Sequence, residues 1–121
     1  MSKHRTWRQY LLEKLSTNRE EAIDYIQVAL EEYQVDADVD VLLLSLRTFV
    51  EAEAGITELA KRTHMSPDAL QKVLSADKAP HLDTLCAILN ALGCRLSVIP
   101  LEDGKTEMET SSEDQRISAA G

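Results

Sequence analysis

The chain has 121 residues, 44% hydrophobic and 28% charged, with a formal net charge of −8 at pH 7. A length near 120 fits one domain that buries about two-thirds of its unfolded surface, and it excludes two independent catalytic domains. No unbroken apolar stretch exceeds the five residues Leu85 to Leu89, against the roughly 18 that a membrane span needs, and the acidic total argues against phosphate binding over the whole surface.

Helical periodicity dominates. Trp7, Tyr10, Leu11 and Leu15 step at three and four residues and predict a short amphipathic helix. Ser16-Thr17-Asn18 supplies cap chemistry, and Arg19-Glu20-Glu21 opens a second helix with acids in its first turn. The apolar face of that helix is Ala22, Ile23, Ile26, Ala29, Leu30 and Tyr33. Gln34 to Asp40 mixes Val with Asp and reads as a connection. A third helix follows, with Val41, Leu42, Leu44 or Ser45, Leu46, Phe49, Val50 and Ala54 largely inward, and Gly55 ends it by taking a left-handed conformation.

From Ile56 the elements shorten. Thr57 is placed to cap a helix running to about Thr63, with Leu59 and Ala60 buried. Ser66-Pro67-Asp68 is a strong helix start: Ser accepts from a free N–H, Pro presets φ, and Asp favours the positive helix end. Ala69, Leu70, Val73 and Leu74 then face the core. Pro80 breaks the chain; Leu82, Leu85, Cys86, Leu89 and Leu92 mark a last helix closed by Gly93. Arg95 to Ile99 alternates polar and apolar and reads as one short strand, which needs a partner for its backbone groups. The same strand of a second subunit is the simplest supply. The segment from Glu102 to Gly121 has too few large apolar residues to offset ordering entropy, so a disordered acidic tail is expected. The domain reading is thus 1–101 as one helical domain, split at 55/56 into N-terminal helices and a second half, then the tail.

Charge is unevenly spread. Residues 1–19 carry +4, residues 20–56 carry −9, residues 57–101 carry +1 and residues 102–121 carry −4. A helical block at −9 repels phosphate and attracts a basic partner; the alternative is simply a solvated helix face. Nucleic-acid contact must therefore come from the first or third block.

Thr57 to Leu92 has the layout of a helix-turn-helix, whose second helix lies in the DNA major groove. With Ala69, Leu70, Val73 and Leu74 inward, Asp68, Gln71, Lys72 and Ser75 point outward. Gln pairs bidentately with adenine, and Lys reaches guanine acceptors or phosphate. Lys61, Arg62 and Lys78 flank the groove as phosphate contacts, with Ser66 at the helix start. The alternative is three helices packed without nucleic acid. Lys3, Arg5 and Arg8 form either a basic arm toward DNA or a solvated terminus.

The residues Gly55-Ile56-Thr57-Glu58-Leu59-Ala60, Met65-Ser66, Leu70, Leu74-Ser75, Pro80, Leu82-Asp83-Thr84-Leu85 and Ala91-Leu92-Gly93 resemble the addiction-module antidote proteins. These are HigA-type antitoxins with a helix-turn-helix of the lambda-repressor kind. Ala22 to Ile26 with Ala29-Leu30, and Leu46-Arg47 with Ala52 to Gly55, are similar to the same family's N-terminal half, so the resemblance covers about residues 8 to 100. It implies an all-α, lambda-repressor-like bundle with N-terminal helices and one short C-terminal strand. It also implies a dimeric autorepressor that binds operator DNA and neutralises a cognate basic toxin of the RelE/ParE-like class. Three positions depart from the family pattern: His64 stands where Gly is usual in the turn, Ala79 where Asn is common, and Asp68 where Arg often starts the reading helix. His is among the non-Gly residues enriched at positive φ, so the turn is expected to form.

Other chemistries find little support. His4, His64 and His81 have no ligand spacing, so no metal is expected, and His81 reads as a helix cap. Cys86 and Cys94 read as reduced, buried thiols with no base beside them, and no glycine-rich phosphate loop exists; neither catalysis nor a cofactor is expected. The aromatics Trp7, Tyr10, Tyr25, Tyr33 and Phe49 read as core. No apolar segment follows the basic N-terminus, so the cytoplasm is the expected compartment, with no membrane partner. The expected function is a DNA-binding antitoxin; the alternatives are a stand-alone helix-turn-helix regulator and an interaction module that has lost DNA binding.

Overall fold

The computed structural model describes residues 6–101, which form six helices: α1 Trp7–Thr17, α2 Arg19–Asp36, α3 Val39–Glu53, α4 Ile56–Thr63, α5 Pro67–Leu74 and α6 Leu82–Ala91. The acidic tail 102–121 and the terminal Lys3 and Arg5 lie outside the described residues.

Local cap chemistry sets most of the boundaries. Thr6 and Gln9 form a reciprocal box at the start of α1: the Gln9 N–H donates to Thr6 Oγ1 at 3.0 Å, and the Thr6 N–H donates to Gln9 Oε1 at 2.9 Å. Asn18 alone joins α1 to α2, and its Oδ1 accepts from the Glu21 N–H at 3.1 Å. The joint from α2 to α3 is only Ala37-Asp38, much shorter than the connection read from Gln34 to Asp40. Ala37 makes this possible by taking φ 55, a left-handed conformation that carries a Cβ cost, while Asp38 caps α3 through the Val41 N–H. Gly55, at φ 85, both ends α3 and opens α4, so Thr57 lies inside α4 rather than capping it. Open space surrounds a Cβ built at Gly55; its φ, not crowding, is what calls for glycine there.

The layers follow from α3, the most apolar of the long helices. Leu42, Leu43, Leu46, Phe49 and Val50 are buried along it, and it packs against α1, α2, α4 and α5. Beyond it, α4 packs against both α5 and α6. The core runs from Leu15, Ala22 and Ile26 through α3 to Leu59, Leu70, Leu74 and Ile88. Arginines tie distant elements together. Arg8 donates to Thr48 Oγ1 at 2.7 Å and to Glu51 at 2.8 Å. Arg19, at the head of α2, pairs with Glu53 and donates to the Leu92 carbonyl at 2.8 Å.

Several inward expectations are corrected. Trp7 is 72% exposed and Tyr10 is exposed beside it, their ring centroids 5.6 Å apart. The side of α1's first turn that meets α3 is occupied by Arg8, which leaves the aromatics to pair on the outside. Val41 and Leu82 are exposed, and in the Leu44/Ser45 alternative it is Ser45 that is buried. Tyr25 and Tyr33 are half-buried, and only Phe49 is wholly interior. Cys86 and Cys94 are free thiols, but half-buried rather than enclosed. His81 occupies the cap position of α6 without a side-chain cap bond.

Among the described residues no strand forms. Residues 94–101 leave α6 as irregular chain, with Leu96 partly buried and Val98, Ile99 and Leu101 exposed. The physical reason is the one the alternation carries with it: a strand needs a second edge, and the described residues offer none.

Candidate nucleic-acid interface

α4 and α5 are joined by the three-residue turn His64-Met65-Ser66. His64 closes α4 at φ 61, so the turn forms in the left-handed geometry expected of a histidine in place of glycine. Met65 tucks against the core, and Ser66 starts α5 by accepting from the Ala69 N–H at 3.0 Å, with Pro67 in the first turn. α5 is seated by Leu70 and Leu74, both buried, with Val73 half-buried beside them.

That seating leaves one polar stripe outward. Asp68, Gln71, Lys72 and Ser75 are all exposed, at helical spacings that put them on one face of α5. Among the described residues, no side chain of the protein bonds to Gln71 or Lys72. Lys61 at the end of α4 and Lys78 in the loop after α5 are also exposed. Arg62 is exposed but occupied: its Nε donates to Glu58 at 3.1 Å and its Nη1 to the Ala91 carbonyl at 3.0 Å, lashing the end of α4 to the end of α6. The Ser66 hydroxyl has an acceptor engaged in the cap, and Ser75 is the C-terminal cap residue of α5. All eight expected residues are exposed, four of them on one face of α5, and Arg62 and Ser66 also hold the fold.

Arg47 belongs to the Leu46-Arg47 pair of the family resemblance, but the sequence reading gives it no site role. From half-buried on α3 its Nη1 donates to the Leu74 carbonyl at 2.6 Å, placing a cation on the negative end of α5. A signal was present: Arg47 is the only base among residues 20–56. Arg47→Met, which keeps the stem and removes the donor, is expected to cost about 1.5–3 kcal/mol, the range for hydrogen bonds to charged groups. For a domain of this size that is a fall in Tm of about 6–20 °C by thermal circular dichroism. An unchanged Tm would mean that the bond does not hold α5.

The family model described as "Probable addiction module antidote protein" matches residues 8–100, from the first turn of α1 to beyond α6. The chain belongs to this addiction module antidote family. No curated protein and no solved structure matches it. An antidote answers a toxin, so membership carries a toxin partner with it, and antidote proteins are typically regulators rather than enzymes. The match takes in both the acidic helices α2 and α3 and the exposed stripe of α5. Among the described residues of the antidote no group of histidine, cysteine or carboxylate side chains can hold a metal ion, and no helix is long and apolar enough to cross a membrane.

Proposed function

We propose that this antidote is the DNA-binding antitoxin of a type II toxin–antitoxin system, a dimeric autorepressor that neutralises a basic, RelE/ParE-like toxin in the cytoplasm. The observation that carries the DNA half of this reading is the open polar stripe of α5. Eight residues at 1.5 Å rise span about 12 Å, the width of the major groove, and the buried Leu70 and Leu74 keep the helix from rolling the stripe inward. In this reading α4 and α5 are a helix-turn-helix of the lambda-repressor kind. Gln71 reads adenine; Lys72 reaches guanine or phosphate; Ser75 offers a hydroxyl to either; Asp68 accepts from a cytosine amino group. Lys61, Arg62 and Lys78 meet phosphate, and the Ser66 hydroxyl lies at the same helix end.

Dimerisation rests on residues 94–101. Val98 is 98% exposed, and Ile99 and Leu101 stand beside it on backbone with no ladder partner among the described residues. Pairing Arg95–Ile99 of two copies covers those side chains and fills the open edges. Two-fold symmetry then spaces the two α5 helices about 34 Å apart, one turn of duplex.

The test is a fluorescence titration of the full chain with the duplex upstream of its own gene. Sequence-selective binding is expected, and with three cations per subunit on phosphate the affinity falls about a thousandfold between 50 and 200 mM salt. No binding at about 50 mM salt overturns the DNA half. It leaves an interaction module, a reading favoured by Asp68 on the stripe and the net charge of −8.

A further inference from the structure

A groove of about 400 Å³ lies on the opposite half of the molecule, walled by α1 and α2 with α3 at its base. Its apolar lining includes Leu11, Leu15, Tyr25 and Val28. Val28 is 48% exposed, although it belongs to the lining of an apolar site. Asp24 and Glu32 sit four residues before and after it, so α2 presents acid, valine and acid along one face over about 12 Å. Lys14 pairs with Glu21 at 3.7 Å at the same rim, whereas neither Asp24 nor Glu32 has an ion-pair partner among the described residues.

An independent observation lies beneath this rim. Ser45 lines the groove and is only 7% exposed, yet among the described residues its hydroxyl has no hydrogen-bond partner. A buried hydroxyl left unpaired is costly, and native proteins seldom retain one without use. The groove therefore combines an uncovered apolar wall, two unmatched carboxylates and an unused donor.

We infer that the α1–α2 groove is where the antidote holds its toxin, taking a segment that presents one large apolar side chain between two cations. The inference rests on the toxin-neutralising reading above and adds the surface and the chemistry of recognition. Charge complementarity selects this occupant. α2 carries six carboxylates against the single base Arg19, which is already engaged by Glu53 and the Leu92 carbonyl, so its field repels nucleic acid and draws a basic protein. A second copy of this chain fits less well, because its uncovered 94–101 segment brings only Arg95 as a cation. The apolar side chain enters against Val28 and Tyr25, the flanking cations meet Asp24 and Glu32, and the Ser45 hydroxyl donates to a backbone or side-chain oxygen at the bottom.

The probe is the purified product of the basic reading frame adjoining this chain's gene, titrated against the labelled full-length antidote. Asp24→Lys with Glu32→Lys is expected to weaken binding about 30-fold, and Val28→Arg by at least as much. The pair Glu20→Lys with Glu31→Lys makes the same change of net charge on α2 off the groove, and is expected to weaken binding no more than about threefold. Ser45→Ala is expected to weaken binding severalfold while leaving the Tm of the free antidote unchanged or raised, since it removes an unpaired buried hydroxyl. Operator binding and melting of the Val28 and rim variants stay as in the parent. Equal losses in the two charge-reversal pairs reduce the effect to a general field and overturn the groove. Parent-like toxin binding by Val28→Arg and by the Asp24/Glu32 pair also overturns it, with the antitoxin reading intact. A shift of the Val28→Arg variant to a smaller species in light scattering, without toxin, assigns the groove to a second copy instead. No toxin binding by the parent overturns both the groove and the antitoxin reading.

Discussion

Replacing Gln71 and Lys72 together by alanine is expected to lower operator affinity by about 1–3 kcal/mol for each base no longer read, while the fold stays intact. Both side chains are exposed on α5 and take no part in its seating on Leu70 and Leu74. Exposed substitutions of this kind change stability by about 0.5 kcal/mol or less, and alanine is itself the best helix former. A symmetric dimer is affected in both half-sites, so the discrimination between operator and unrelated duplex collapses before general affinity does. Lys78→Ala is the companion: removing a phosphate anchor weakens binding to all sequences alike and lowers the salt slope by about one per site. An unchanged operator affinity in the Gln71/Lys72 double variant would remove α5 as the reading element.

Phe49→Ala is expected to cost about 3–5 kcal/mol, a large share of the roughly 5–15 kcal/mol that holds a domain folded. The ring is wholly buried on α3, the helix that packs against α1 and α2 on one side and α4 and α5 on the other. The cavity therefore opens where both halves meet. If residues 6–101 act as one cooperative unit, urea unfolding followed by fluorescence of the lone Trp7 and by circular dichroism moves to lower urea as one coincident transition with the same slope. Two separated transitions would mean that α1–α3 and α4–α6 fold as distinct domains.

Local chemistry makes much of this fold legible in the sequence, and its limits are instructive. Ser66-Pro67-Asp68 is readable as a helix start because a cap involves neighbours three residues apart, and the structure starts α5 there. His64 is readable as a left-handed turn for the same local reason. Trp7, Tyr10, Val41 and Leu82 mislead because periodicity marks a face without saying whether another element reaches it. Arg8 competes for the side of α1 that the spacing of Trp7 assigns to the aromatics. The clamps escape a linear reading because their partners are remote: Arg47 and Leu74 are 27 residues apart, Arg19 and Leu92 are 73. The expected strand at Arg95–Ile99 depends on a second edge, which the described residues do not supply. The outward stripe of α5 is legible in full, whereas the groove is not, since it exists only once α1 and α2 are set side by side over Ser45.

The one-residue joint at Asn18 has a bearing on that groove. Its N–H reaches back to the Leu15 carbonyl at 3.4 Å, its side chain reaches forward to the Glu21 N–H, and its own carbonyl accepts from the Ala22 N–H at 3.1 Å. The two walls are thus fastened at their common root before any visitor arrives. A cleft built this way accepts what already fits and does not mould itself to the guest, so little conformational freedom is surrendered on docking. Selectivity in such a design falls to the visitor's shape, and lengthening the joint by a glycine or two would trade that selectivity for tolerance.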